Sequence, residues 1–83
     1  MTGVPVSAIA PVQPLERVLW RLRKEARIAE VRVREMPFGC ELRFIADGIL
    51  RWSQVFRDER GEMSDRALEK RRQFERLGWR VAE

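Results

Sequence analysis

The stretch Ile28–Phe56, IAEVRVREMPFGCELRFIADGILRWSQVF, decides the fold, because its turn chemistry puts three strands in register unaided. Val31 and Val33 alternate with Glu30, Arg32 and Arg34, the period-two pattern of a half-buried strand. Met36-Pro37-Phe38-Gly39 reads as a type I turn, in which proline pre-sets the second backbone position and glycine closes the reversal. That turn pairs Val33 with Leu42, Val31 with Phe44, Arg34 with Glu41 and Arg32 with Arg43. Around Asp47-Gly48 two registers compete. A two-residue Asp-Gly loop sets Phe44 opposite Arg51 and Arg43 opposite Trp52, mixing apolar and charged residues on both faces. A three-residue loop, Ala46-Asp47-Gly48, ends in a left-handed glycine and sets Phe44 opposite Leu50 and Leu42 opposite Trp52. Slipping by one residue exchanges the faces, so the register that segregates the side chains is expected.

One face then carries Val31, Val33, Cys40, Leu42, Phe44, Leu50, Trp52 and Phe56, and is the core face. The other carries Glu30, Arg32, Arg34, Glu41, Arg43, Ile45, Ile49, Arg51, Ser53 and Val55. Arg32, Arg43 and Arg51 fall in a row across all three strands. Like charges facing each other destabilise a strand pair, so the row calls for an anionic partner or for acidic neighbours from elsewhere in the chain.

Working outward, residues 14–26 (PLERVLWRLRKEA) fit a first helix. Proline suits the opening position and Glu16 the first turn. Leu15, Val18, Leu19, Leu22 and Ala26 fall on one stripe at helical spacing. Trp20 lies opposite, among Arg17, Lys24 and Arg27. There it serves either as a stacking or anchoring residue or packs against the N-terminal arm under arginine stems. On the other side, Ser64 caps a second helix from about Asp65 to Leu77. Gly78 takes the left-handed position beyond its end, and Trp79 folds back on Phe74 in a Schellman motif. Arg80-Val81-Ala82 follows either as a short edge strand or as a frayed end. The fold expected is therefore α+β: a three-stranded antiparallel meander flanked by an N-terminal and a C-terminal helix, α-β-β-β-α. Residues 14–83 form one small domain, and residues 1–13, interrupted by Pro5 and Pro11, form a flexible arm or an exchanged terminus.

That order of elements resembles the double-stranded-RNA-binding domain. The resemblance ends with the order, because the second helix here opens acidic, Ser64-Asp65-Arg66-Ala67, and the Met36–Gly39 loop is short and uncharged.

Composition narrows the function. Eighty-three residues suit one domain, and 45% hydrophobic with 36% charged residues suits a folded, soluble one. The net charge is +4, and 15 of the 17 cations are arginine, a bias towards bidentate contacts with phosphate or carboxylate or the mark of an arginine-rich genome. One cysteine and no histidine leave zinc, haem and Cys–His catalysis almost nothing to work with, so no metal, cofactor or small-molecule substrate is expected. The lone Cys40 suits a reducing, cytoplasmic setting. No run approaches the roughly 20 apolar residues of a membrane span. No nucleophile elbow or glycine-rich phosphate loop is present in the sequence, and an enzyme is not expected.

Two readings remain. In the first, the chain is an interaction module that binds a protein, either a partner or a second copy, through an open sheet face. Ile45, Ile49 and Val55 form the apolar centre, ringed by Arg32, Arg43 and Arg51. In the second it binds nucleic acid with little sequence preference, using the arginine row and the Arg17-Trp20-Lys24 helix face. The isoleucines favour the first, since phosphate binding has no use for them.

Overall fold

Four consecutive strands pair each with its sequence neighbour and a fifth returns beside the first, antiparallel throughout, in a computed structural model that describes residues 15–82. The elements are β1 (Glu16–Lys24), β2 (Arg27–Met36), β3 (Gly39–Ala46), β4 (Ile49–Phe56), α1 (Arg60–Arg76) and β5 (Arg80–Val81). They form a five-stranded sheet in the order β4-β3-β2-β1-β5, with α1 packed across one face. The expected three-stranded meander flanked by two helices is thus corrected: the segment read as a first helix is a strand. The expected arm, residues 1–13, lies outside the described residues.

The reason for that misreading is a β-bulge. β1 pairs with β2 through Val18↔Arg32 and then Trp20↔Val31, so Leu19 is an extra residue. Before the bulge Glu16 and Val18 share one face; after it Trp20 and Leu22 share the other. Two period-two stretches out of phase by one residue imitate helical spacing. Trp20, the misfit of the helical stripe, marks the strand, for it aligns with Leu22 at a spacing of two. The β1–β2 reversal at Glu25-Ala26 also carries no glycine or proline. Glu25 itself takes the left-handed conformation, φ 57°, which few sequences announce.

Between β2 and β3 the expected register holds, with Val33↔Leu42, Val31↔Phe44, Arg34↔Glu41 and Arg32↔Arg43. Between β3 and β4 it does not. Asp47 and Gly48 both have positive φ, 53° and 80°, and form a two-residue hairpin loop that pairs Ala46 with Ile49 and Ile45 with Leu50. A bulge then absorbs Arg51, and pairing resumes with Phe44↔Trp52 and Arg43↔Ser53. The sequence reading weighed two regular registers, whereas the strand takes the favoured Asp-Gly turn and restores face segregation through the bulge. Leu50, expected in the core, is consequently exposed.

The core forms on the α1 side from Trp20, Leu22, Ala29, Val31, Val33, Cys40, Leu42 and Phe56, with Met63 and Ala67 of α1 and Trp79. Fully burying each large apolar side chain contributes about 1.5–3 kcal/mol, so one helix suffices to cover the sheet. The indole Nε1 of Trp20 donates to the Ala67 carbonyl at 2.9 Å, tying β1 to the middle of α1. The helix starts a turn earlier than expected, with Glu59 rather than Ser64 at its N-cap. Its end is as read: Gly78 has φ 97°, Trp79 N–H donates to Phe74 O and Gly78 N–H to Glu75 O, each at 3.1 Å. The Trp79 ring meets Phe74 edge-on at 5.2 Å. Lys24 Nζ donates to the Leu77 carbonyl at 2.7 Å, so the end of β1 also helps close the helix.

Candidate interaction surface

On the sheet face away from α1, the arginines are met by carboxylates. Arg32 Nη1 donates to Glu16 Oε1 at 3.1 Å and Arg32 Nη2 to Glu30 Oε1 at 2.5 Å. Glu30 Oε2 accepts from Arg21 Nε at 2.7 Å, and Glu16 Oε2 accepts from Arg43 Nη1 at 2.7 Å. Arg43 Nε lies 3.6 Å from Glu41 Oε1. Arg21, Glu30, Arg32, Glu16, Arg43 and Glu41 thus alternate in sign across β1, β2 and β3. The Arg32 side chain is 1% exposed and those of Glu16 and Glu30 no more. Charges this buried cost several kcal/mol each to desolvate, and alternation with charge-assisted hydrogen bonds offsets that cost.

This ladder answers the question the arginine row raised. The acidic neighbours come from within the chain, chiefly Glu16, which sequence reasoning had placed in the first turn of a helix. The signal for it was the facing Arg32–Arg43 pair, which required a carboxylate between them.

The residues singled out from sequence separate into groups. Arg32 and Arg43 belong to the ladder, and Ile45 is buried at 4% exposure. Trp20 is a core residue bonded to α1, while Arg17 and Lys24 are exposed on β1, with Lys24 engaged at the helix end. Arg51, Ile49 and Val55 remain accessible, and all three lie on β4. The structure does not bring the nine onto one surface.

β4 stands at the margin of the sheet, with β3 on one side and no strand on the other among the described residues. Its eight residues, ILRWSQVF, include one charge, Arg51. Ile49, Leu50 and Val55 are 55%, 45% and 47% exposed, and only Phe56 is buried. Trp52 is half-covered, with the Lys70 ammonium and Arg66 guanidinium 5.5 Å and 5.6 Å from its ring. Beside the strand, a shallow hollow is lined by Gln54, Phe56, Glu62, Asp65, Arg66 and Glu69. The opposite margin is different. There the two-residue β5 covers Leu22 and Arg23 of β1, and the part of β1 that no described strand covers carries Glu16, Arg17 and Arg21, charges that discourage pairing with another chain.

No protein-family model, curated protein or solved structure matches the chain. Among the described residues, no cluster of His, Cys, Asp and Glu is arranged to hold a metal ion, and no helix is long and apolar enough to cross a membrane.

Proposed function

We propose that this chain is a non-enzymatic protein-interaction module that engages its partner by strand addition along β4. The observation that supports this most is the contrast between the sheet margins. One is β1, charged at Glu16, Arg17 and Arg21 and covered at Leu22 and Arg23 by the two-residue β5, and the other presents eight residues with a single charge and three exposed aliphatic side chains. Every edge strand offers unpaired N–H and C=O groups, and proteins that avoid association shorten such strands, bulge them or load them with charge; β4 has one bulge, at Arg51, and pairs regularly from Trp52 to Phe56. Main-chain pairing supplies affinity in this mode, and alternate side chains supply selectivity.

The nucleic-acid reading drew on the arginine row and on Trp20. Arg32 and Arg43 are neutralised by Glu16, Glu30 and Glu41, and Trp20 is buried, so the accessible features favour protein.

The test uses Leu50→Lys/Val55→Lys, two exposed positions where lysine leaves the core untouched. Wild type and variant are compared by light scattering and by affinity capture from host extract. Self-association or partners held by wild type should be lost from the variant. Retention of all of them by the variant would overturn the reading.

A further inference from the structure

We infer that the occupant of the β4 edge is a second copy of this chain, paired antiparallel about a two-fold axis at Ser53. The inference rests on the edge reading above and names its partner.

The pattern along β4 is self-complementary once the bulge is counted. Because Arg51 is the extra residue, Ile49, Trp52, Gln54 and Phe56 share the α1 side, while Leu50, Ser53 and Val55 share the outer side. An axis at Ser53 sets Gln54 against Trp52 of the copy, Val55 against Leu50 and Phe56 against Ile49. Each pair lies on one face, as antiparallel neighbours must. The exposed pair Leu50 and Val55 is thereby covered twice, once on each side of the axis. The residue on the axis is the small Ser53, so the self-facing position holds no bulk and no charge.

Charge also favours this register. The two Arg51 residues stand four pleat steps apart, about 13 Å, beyond strong repulsion. Each Arg51 instead comes beside Val55 of the copy, whose neighbour on β3 is Glu41. Glu41 points to the outer side, and among the described residues its carboxylate pairs with the flank of Arg43, at 3.6 Å. Two strand spacings, about 10 Å, separate the Arg51 and Glu41 backbones, a gap that an arginine and a glutamate side chain span together. Shifting the axis towards Leu50 brings the like charges together, and shifting it towards Phe56 shortens the overlap. The Ser53 register therefore has the longest pairing without a like-charge contact, and it joins two sheets into one with both helices on the same side.

The experiment is site-directed crosslinking of the purified full chain, with solution mass measured alongside. Ser53→Cys places two thiols across the axis with Cα atoms about 5 Å apart, within disulfide reach. Arg51→Cys and Val55→Cys place theirs about 13 Å from their counterparts, outside it. Native Cys40 is fully buried and does not compete. The expected result is a dimer mass, loss of that mass in Leu50→Lys/Val55→Lys, and a covalent dimer on mild oxidation from Ser53→Cys alone. A dimer that dissociates in the lysine variant but crosslinks through position 51 or 55 overturns the register. A monomer at every concentration, with no crosslink, overturns the second copy while the edge reading stands for another protein's strand. A dimer unchanged by the lysine pair overturns both.

Discussion

Arg32 and Glu16, sixteen residues apart in sequence, meet at 3.1 Å with the side chain of one 1% exposed and that of the other fully buried. They join the middle strand of the sheet to β1 by a contact that excludes water, and Arg43 takes the second oxygen of the same carboxylate.

Removing that carboxylate should be costly. Glu16→Ala leaves Arg32 and Arg43 without their shared acceptor, and stability should fall by about 3–5 kcal/mol. Exchanging Glu16, Glu30 and Arg32 together for leucine, leucine and methionine should cost less than Glu16→Ala alone, since the three most buried charges leave together and Arg21 and Arg43, which lose acceptors, are 31% and 22% exposed. Urea midpoints at constant slope measure both. A Glu16→Ala midpoint equal to wild type would show that the ladder does not hold these strands.

Trp20 fixes α1 through one hydrogen bond and through its bulk. Trp20→Phe keeps most of the apolar surface and loses the bond to the Ala67 carbonyl, an expected cost of about 1–2 kcal/mol. Trp20→Ala also opens a cavity beside Phe74 and should cost about 3–5 kcal/mol. Thermal unfolding separates the two, and a Trp20→Phe variant as stable as wild type would mean that the hydrogen bond contributes nothing.

Two glycines should respond in opposite directions to alanine. A Cβ at Gly39 would lie 2.1 Å from the Phe56 carbonyl oxygen and 3.0 Å from the Arg57 Cα, both backbone atoms. Gly39→Ala must therefore displace the end of β4, at a cost of about 3 kcal/mol or more. Nothing lies within 4 Å of a Cβ at Gly61, in the first turn of α1, and Gly61→Ala should stabilise by about 0.5–1 kcal/mol. Equal midpoints for the two variants would contradict this.

Acid should reach the β3–β4 turn only after ordinary carboxylates have taken up protons. The Ile28 N–H donates to Asp47 Oδ1 at 3.0 Å, and with Arg27 beside Oδ2 it holds the carboxyl below its usual 3.8. A folded-state value below the unfolded one means that the stability from this group is present above pH 3.8 and is lost as pH falls through the lower folded value. Asp47→Asn tolerates the left-handed turn and keeps an acceptor for Ile28, so its acid-unfolding limb should be flatter. An identical limb in variant and wild type would remove Asp47 from the account.

What could be read from sequence followed turn chemistry. Pro37-Phe38-Gly39 placed β2 and β3 residue by residue, and Gly78-Trp79 placed the end of α1. What escaped was the pair of bulges, because an inserted residue breaks the periodicity on which strand reading depends. At Leu19 the break turned a strand into an apparent helix, and at Arg51 it turned one register into two imperfect ones. The interaction surface followed the same course. Val55, Ile49 and Arg51 are legible as unusual residues, but the sequence pattern sets them on an open sheet face. The structure instead leaves them accessible along the margin of β4, while Ile45, Arg32 and Arg43 of that face are covered or paired.

The closure of the far margin has a kinetic consequence. β1 to β4 pair in the order of the chain, so each strand finds its predecessor by a short loop, the quick route for sheet formation. The apolar side, by contrast, is sealed only when α1 has crossed it and Trp79 has docked on Phe74, with Val81 alongside Leu22. On the ribosome, the nascent meander must therefore emerge with its oily side bare, and a chain stalled before Trp79 should bind a hydrophobic dye that a chain released beyond Val81 excludes. Until Trp79 and Val81 are in place the apolar side of the sheet stays accessible, and their docking closes it.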